Sequence, residues 1–307
     1  MANPSDILSV ALWAANLAAP VNGVDAWVEN IDEQMRQAAK AGARLLMMPE
    51  YAAEQWLSFA PRRLEASEEI PWLASRSEAV LSALKPLPAR YGIALLAGTM
   101  PVKTGPGREG APPYVNRAHL LLPDGRVVVH DKLCLTPPEK DPDGWDLSAG
   151  DTVTVVEWEG LRIATLVCLD IELPAIAARL AALAPDLILV PSQTETLAGV
   201  HRVFGCARAR ATELFAVVCA VGCVGAVETG QPRGGYVSGA AVYLPSDAAI
   251  GHTGVWDEMP PVDKSSGPGP VLIARDIPLG RIRDFRREGA EVWPGAWDAG
   301  HVRFVEA

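Results

Sequence analysis

The chain has 307 residues, with 27 Lys+Arg against 37 Asp+Glu and a formal charge of −10. That length can bury a core without disulfide staples, and 49% hydrophobic with 21% charged residues excludes a disordered polypeptide. The negative balance argues against nucleic acid or an anionic membrane as partner, because both reward clustered positive charge.

In chain order, residues 8–20 imitate the apolar part of a secretion signal, but Asp6 lies in the leader and the first basic residue is Arg36. Residues 7–14 therefore read as a buried strand. Residues 24–41 repeat apolar or small side chains at the helical period, and Gly42 stands where a helix C-terminal glycine belongs. A strand at 44–48, a helix at 71–90 and a strand at 93–99 follow, then a Pro/Gly-rich surface loop at 100–114. Residues 116–122 and 126–133 flank Pro-Asp-Gly and read as a hairpin, as do 153–158 and 162–167 around Glu159-Gly160. A helix at 174–183, a strand at 187–190, a helix at 200–213, a strand at 215–221 and a last strand at 238–244 complete the regular region. Hairpins mixed with strand–helix–strand units imply an α/β fold with a mixed sheet. No apolar run approaches the roughly 18 residues that span a bilayer.

Several motifs fail on context. Residues 105–110 spell GxGxxG, but Ala-Pro-Pro follows and no helix opens to receive a pyrophosphate. Asp141, Asp143 and Asp146 hint at a calcium loop without its glycine register or closing glutamate. Cys219 and Cys223 lie four residues apart in a strand, roughly 13 Å, too far to share a zinc ion. Five scattered cysteines, at 134, 168, 206, 219 and 223, imply free thiols and a reducing, cytoplasmic setting. Arg281, Arg283, Arg286 and Arg287 read as a solvated helix face.

Three reactive side chains sit at strand ends, where open α/β sheets bind ligands. Glu50 follows the buried run LLMMP; taken alone, it reads equally as a surface residue opening a loop. Lys132 interrupts VVVHDKLCL on the face of Val128, His130 and Cys134, either guarding an edge or paired inside a site, with Glu139 seven residues on as a partner. Cys168 ends a strand in RIATLVCLDIELP, and Pro174 opens the next helix. A thiol at such an elbow meets oriented N–H groups that favour thiolate and hold an oxyanion. Alone, it reads as an inert buried cysteine.

Glu50, Lys132 and Cys168, in this order and these contexts, resemble the nitrilase superfamily of carbon–nitrogen hydrolases. The resemblance runs from about residue 7 to about 250. It takes in the 114–132 hairpin, Glu139, Cys168-Leu-Asp170 with Pro174, the run from Ala184 to Ser192, Arg208 to Val221, and Ser238-Gly239 through Pro245. It implies a four-layer αββα sandwich as one domain over 1–307, with 251–307 a C-terminal extension used in subunit contacts, and a homodimer or higher homo-oligomer.

The resemblance also implies roles. Glu50 is the general base, Cys168 the nucleophile, Lys132 and the Leu169 N–H the oxyanion donors, and Glu139 holds Lys132 protonated. No metal or organic cofactor is required. Tyr51 and Trp56 become pocket walls, although core packing explains them as well, and Gln193, Thr194 and Glu195 are candidates for substrate selection. The sequence departs from the family at Glu172 and Leu173, where an arginine and an aromatic are usual, and at 193–195. Leu169-Asp170 after the cysteine, in place of Trp-Glu, favours amides or carbamoyl amides over nitriles. Nitrile hydrolysis by the same residues and a catalytically weak binding or regulatory protein are the alternatives; a thiol hydrolase using His201 is a third.

Overall fold

The alternation of buried side chains along the first strand sets the layering. In β1 (Leu8–Trp13) every second residue, Leu8, Val10 and Leu12, points into one hydrophobic cluster, while Ala11 and Trp13 point into another. A strand buried on both faces lies between two layers. The computed structural model describes residues 6–104, 112–227, 234–288, 290 and 300–306; the GxGxxG string at 105–110 lies outside them.

After β1 come α1 (Val24–Lys40), β2 (Leu45–Met47), a 3-10 turn at Ala52–Phe59, α2 (Ala66–Leu84), α3 (Leu87–Tyr91) and β3 (Ala94–Lys103). The hairpin strands β4 (Tyr114–Leu121) and β5 (Val127–Asp131) lead to the one-turn α4 (Pro137–Lys140). The second half holds β6 (Val155–Trp158), β7 (Leu161–Thr165), a 3-10 turn at Cys168–Glu172, α5 (Pro174–Ala181), β8 (Leu187–Ser192), α6 (Leu197–Glu213), β9 (Val217–Gly222) and β10 (Ser238–Tyr243). It ends with β11 (Val255–Val262), β12 (Val271–Ile277) and α7 (Leu279–Glu288).

Two six-stranded sheets result, ordered β12-β1-β2-β3-β4-β5 and β11-β10-β9-β8-β7-β6. Each has parallel central pairs, β1–β2–β3 and β7–β8–β9, and antiparallel flanks. One cluster fills the space between the sheets and continues to α6 and α7. The other packs β1, β2 and β3 against Trp27, Ile31 and Met35 of α1 and Leu73, Val80 and Leu84 of α2. The architecture is the four-layer αββα sandwich of an α/β protein.

Four local differences from the sequence reading have identifiable causes. The helix expected at 71–90 starts at Ala66, where Glu68 reaches back to accept the Glu65 N–H (3.0 Å). Pro71 sits inside it, giving up one helical hydrogen bond. The strand expected to end at 99 runs on to Lys103, because 100–103 pair with β4, Lys103 opposite Tyr114. The strand expected through 133 stops at Asp131, so Cys134 shares no strand face with Val128 and His130. Regular structure continues beyond 244: β11 pairs with β10, and β12 returns to pair with β1 in the other sheet. No helix among the described residues is long and apolar enough to cross a membrane.

Candidate active site

Glu50 follows β2 through Met48 and Pro49 and is 1% exposed. The next residue, Tyr51, adopts the left-handed conformation (φ 50°, ψ 31°), which costs a side-chain-bearing residue roughly 1–2 kcal/mol. The surroundings hold it there: the Tyr51 N–H donates to Thr99 Oγ1 (2.8 Å), and β3 approaches closely because residue 98 is glycine. A Cβ on Gly98 would stand 2.2 Å from the Pro49 carbonyl oxygen. Strain kept beside a buried carboxylate is the kind that clusters at functional sites.

Lys132 lies just past β5, the edge strand of the first sheet, yet is 2% exposed. Its N–H donates to the Asn116 carbonyl (2.9 Å), and Gly150 packs so tightly on Asp131 that a Cβ there would meet its carbonyl oxygen at 2.3 Å. The ammonium donates to Glu50 Oε1 (2.8 Å) and to Glu139 Oε2 and Oε1 (2.7 and 2.9 Å). Glu139 is the third residue of α4, and its Oε2 accepts from the N–H (2.8 Å) and hydroxyl (3.0 Å) of Thr136, a capping box that orients the carboxylate. The Tyr51 hydroxyl donates to Glu139 Oε1 (2.6 Å), and Asn116 Nδ2 donates to Glu50 Oε1 (2.9 Å).

Cys168 stands at the bend between β7 and α5, also left-handed (φ 49°) and 7% exposed. Its thiol donates to the Gln193 carbonyl oxygen (3.7 Å), and the nearby Glu50 carboxylate disfavours its ionisation. Two residues on, Asp170 is wholly buried. Its Oδ2 accepts the Val167 N–H (3.0 Å) and lies 3.0 Å from His130 Nε2. Its Oδ1 accepts the N–H groups of Leu133 (3.1 Å) and Cys134 (2.8 Å). One carboxylate thus ties the backbone before Cys168 to the backbone after Lys132, although the two arrive from different sheets.

The thiol, the ammonium and both glutamates line one cavity of about 660 Å³. Burial raises Glu50 to about 7, with Lys132 opposing and Glu139 reinforcing the shift. Burial also pushes the Cys168 thiol well up, and neighbouring Glu50 adds to this. For Lys132 burial works against the charge, but Glu50, Cys168 and Glu139 outweigh it and raise its pKa. Glu139 is lowered despite burial, because the Lys132 ammonium stabilises its charge. The result is an ammonium held between two carboxylates, one of which, Glu50, binds a proton more tightly than an ordinary carboxylate because it is buried.

Of the candidate residues, Tyr51, Leu169, Gln193, Thr194 and Glu195 line the same cavity. Trp56 does not: it is 0% exposed and packs edge-on against Trp27 (ring centroids 5.2 Å apart), so it is a core residue. His201 is exposed on α6 and does not line the cavity. Glu172 also lines the cavity and pairs with Arg202 Nε at 2.6 Å. Sequence reasoning missed Asn116 as a partner of Glu50, Asp170 as a buried acceptor of backbone N–H groups, and the capping role of Thr136. Only the last carried a local signal, Thr-Pro-Pro-Glu at 136–139. Among the described residues, no group of three or more His, Cys, Asp or Glu is arranged to hold a metal ion.

The carbon-nitrogen hydrolase family profile matches residues 10–286. An amidase from Nesterenkonia sp. superposes with a TM-score of 0.66 at 22% identity, covering 92% of this chain and 95% of that one. A variant of that amidase shows covalent addition of the acetamide moiety of fluoroacetamide at its active-site cysteine. The probable hydrolase YhcX of Bacillus subtilis (strain 168) is 27% identical over 252 residues, 82% of this chain and 46% of its own length. An (R)-stereoselective amidase of Pseudomonas sp. is 36% identical over 118 residues, 38% of this chain and 41% of its own. The chain spans less than half the length of either curated relative.

Proposed function

This chain belongs to the carbon–nitrogen hydrolase family, and from that premise we propose that it hydrolyses a small linear amide through a thioester on Cys168. The supporting observation is the convergence of thiol, ammonium and carboxylates on one cavity, with Lys132 bonded to Glu50 at 2.8 Å and Glu139 at 2.7 Å.

In this reading Glu50 accepts the Cys168 proton as sulfur attacks the amide carbon; its raised pKa makes it a stronger base than an ordinary carboxylate. The tetrahedral oxyanion is held by Lys132 and the Leu169 N–H, and one such donor contributes about 3–4 kcal/mol to the transition state in comparable enzymes. Collapse expels ammonia or an amine, which takes the proton back from Glu50, and leaves the acyl group on sulfur. Water, deprotonated by Glu50, attacks the thioester; the carboxylic acid leaves and the thiol is restored. Glu139 keeps Lys132 charged and aimed throughout, with Tyr51 and Thr136 fixing Glu139. Gln193, Thr194 and Glu195 contact the remainder of the substrate. Pairing into a homodimer, with 251–307 in subunit contacts, belongs to the same proposal and is read by sedimentation.

The test incubates purified protein with a panel of short primary amides, follows ammonia release, and records intact mass for an acyl adduct. Cys168→Ala is expected to abolish both signals while retaining the circular dichroism spectrum. Ammonia release that survives this change refutes the mechanism.

A further inference from the structure

Besides the reacting groups, the cavity has a charge pattern and aromatic walls that bear on what enters it. Among its described lining residues, Glu50, Glu139, Asp141, Glu172 and Glu195 carry carboxylates, and Lys132 and Arg202 carry the cations. Both cations are engaged, Lys132 by Glu50 and Glu139, and Arg202 by Glu172 at 2.6 Å. Asp141 and Glu195 are exposed and make no ion pair among the described residues. Asp141 is on the same wall segment as Trp145, whose ring lies 4.7 Å from that of Tyr51 (centroid to centroid); both rings line the cavity. With carboxylates outnumbering cations on its described walls, the concave site carries a net negative field that acts on what approaches. An aromatic face beside carboxylates adds attraction for a cation and none for an anion.

From these features we infer that the substrates are amides whose acyl portion carries an ammonium group, and that amides bearing a carboxylate are rejected. This inference rests on the amide-hydrolase reading above and narrows it to a substrate class. The ammonium would sit toward Asp141 and Glu195, flanked by Trp145, while the amide carbonyl reaches Cys168. The charge of Arg202 as a counter-site for a carboxylate is offset by Glu172, which pairs with its Nε.

The test compares kcat/KM at pH 7.5 and low salt for matched primary amides: β-alaninamide and 4-aminobutanamide (ammonium), butanamide and pentanamide (neutral), and succinamate (carboxylate). The ammonium amides are expected to exceed succinamate at least tenfold, about 1.4 kcal/mol, with the neutral amides between. Raising the salt toward 0.5 M is expected to shrink that ratio, since exposed charges are screened. The double substitution Asp141→Asn, Glu195→Gln is expected to lower it several-fold, and Arg202→Gln to raise it. Equal or reversed preference, or a ratio that neither salt nor the substitutions move, overturns the inference. If none of these amides is hydrolysed, the amidase reading itself has failed. Ligand-observed NMR titration of Cys168→Ala then decides the preference separately: tighter β-alaninamide than butanamide supports it, and equal binding overturns it.

Discussion

Asp170 offers the sharpest perturbation, because a single wholly buried carboxylate accepts three backbone N–H groups and contacts His130. Asp170→Ala leaves the Val167, Leu133 and Cys134 donors without acceptors. A buried unsatisfied donor costs about 1–3 kcal/mol; Leu133 and Cys134 are half-buried and recover part of that from water. The sum is roughly 3–5 kcal/mol, a large share of the 5–15 kcal/mol that holds a typical domain folded. With about 2.1 cal/mol/K of unfolding entropy per residue over 307 residues, this lowers Tm by about 5–8 °C. Asp170→Asn keeps one carbonyl oxygen for Leu133 and Cys134 but turns an amide NH₂ toward Val167 and His130, so about 2–3 °C is expected. Calorimetry measures both, and kcat for a small amide is expected to fall with them, since the segments bearing Lys132 and Cys168 lose their common tie. A Tm change under about 1 °C for Asp170→Ala, or equal losses for both variants, refutes the reasoning.

Three further outcomes follow from the same geometry. With Glu50 raised to about 7, and its ionised form acting as base in the proposed mechanism, kcat/KM for a neutral amide is expected to rise with pH through about 7. A limb near the ordinary carboxylate value of 4.5 counts against a buried base. Glu139→Gln removes one of the two carboxylates that hold the Lys132 ammonium and is expected to lower kcat about 10²-fold, the scale of losing an oxyanion donor, in steady-state assays. Gly98→Ala puts a Cβ 2.2 Å from the Pro49 oxygen at φ +66°. It should therefore lower both Tm and activity, whereas Gly205→Ala, which meets nothing within 4 Å in α6, should leave Tm unchanged or raised.

Much was legible before folding because it is local. Strands buried on both faces are continuous apolar runs, so β1, β2, β8 and β9 read directly as strands, and Glu159-Gly160 between two such runs marked the hairpin turn at which both residues take positive φ. Glu50, Lys132 and Cys168 stood out because each puts a reactive group at the end of an apolar segment, where packing gives no reason for one. Pro71 misled because the helix it joins begins further back, with the Glu65–Glu68 cap.

Along the chain one reads an inventory: an α/β protein, its reactive side chains, and their order. Proximity and burial came only with the packing of the two sheets. Lys132 follows an edge strand, a place where lysines are ordinarily solvated; it is buried because Gly150, Asn116 and α4 close over it. Asp170 and Asn116 look like ordinary polar residues in sequence, and their partners lie up to 66 positions away. Trp56 went to the core and not to the cavity, and residues 255–277 closed one edge of each sheet. Periodicity depends on neighbours within a few residues, so it can be read along the chain. A buried hydrogen bond or a shifted pKa depends on what excludes water from the opposite side, and that is set only when the two sheets meet.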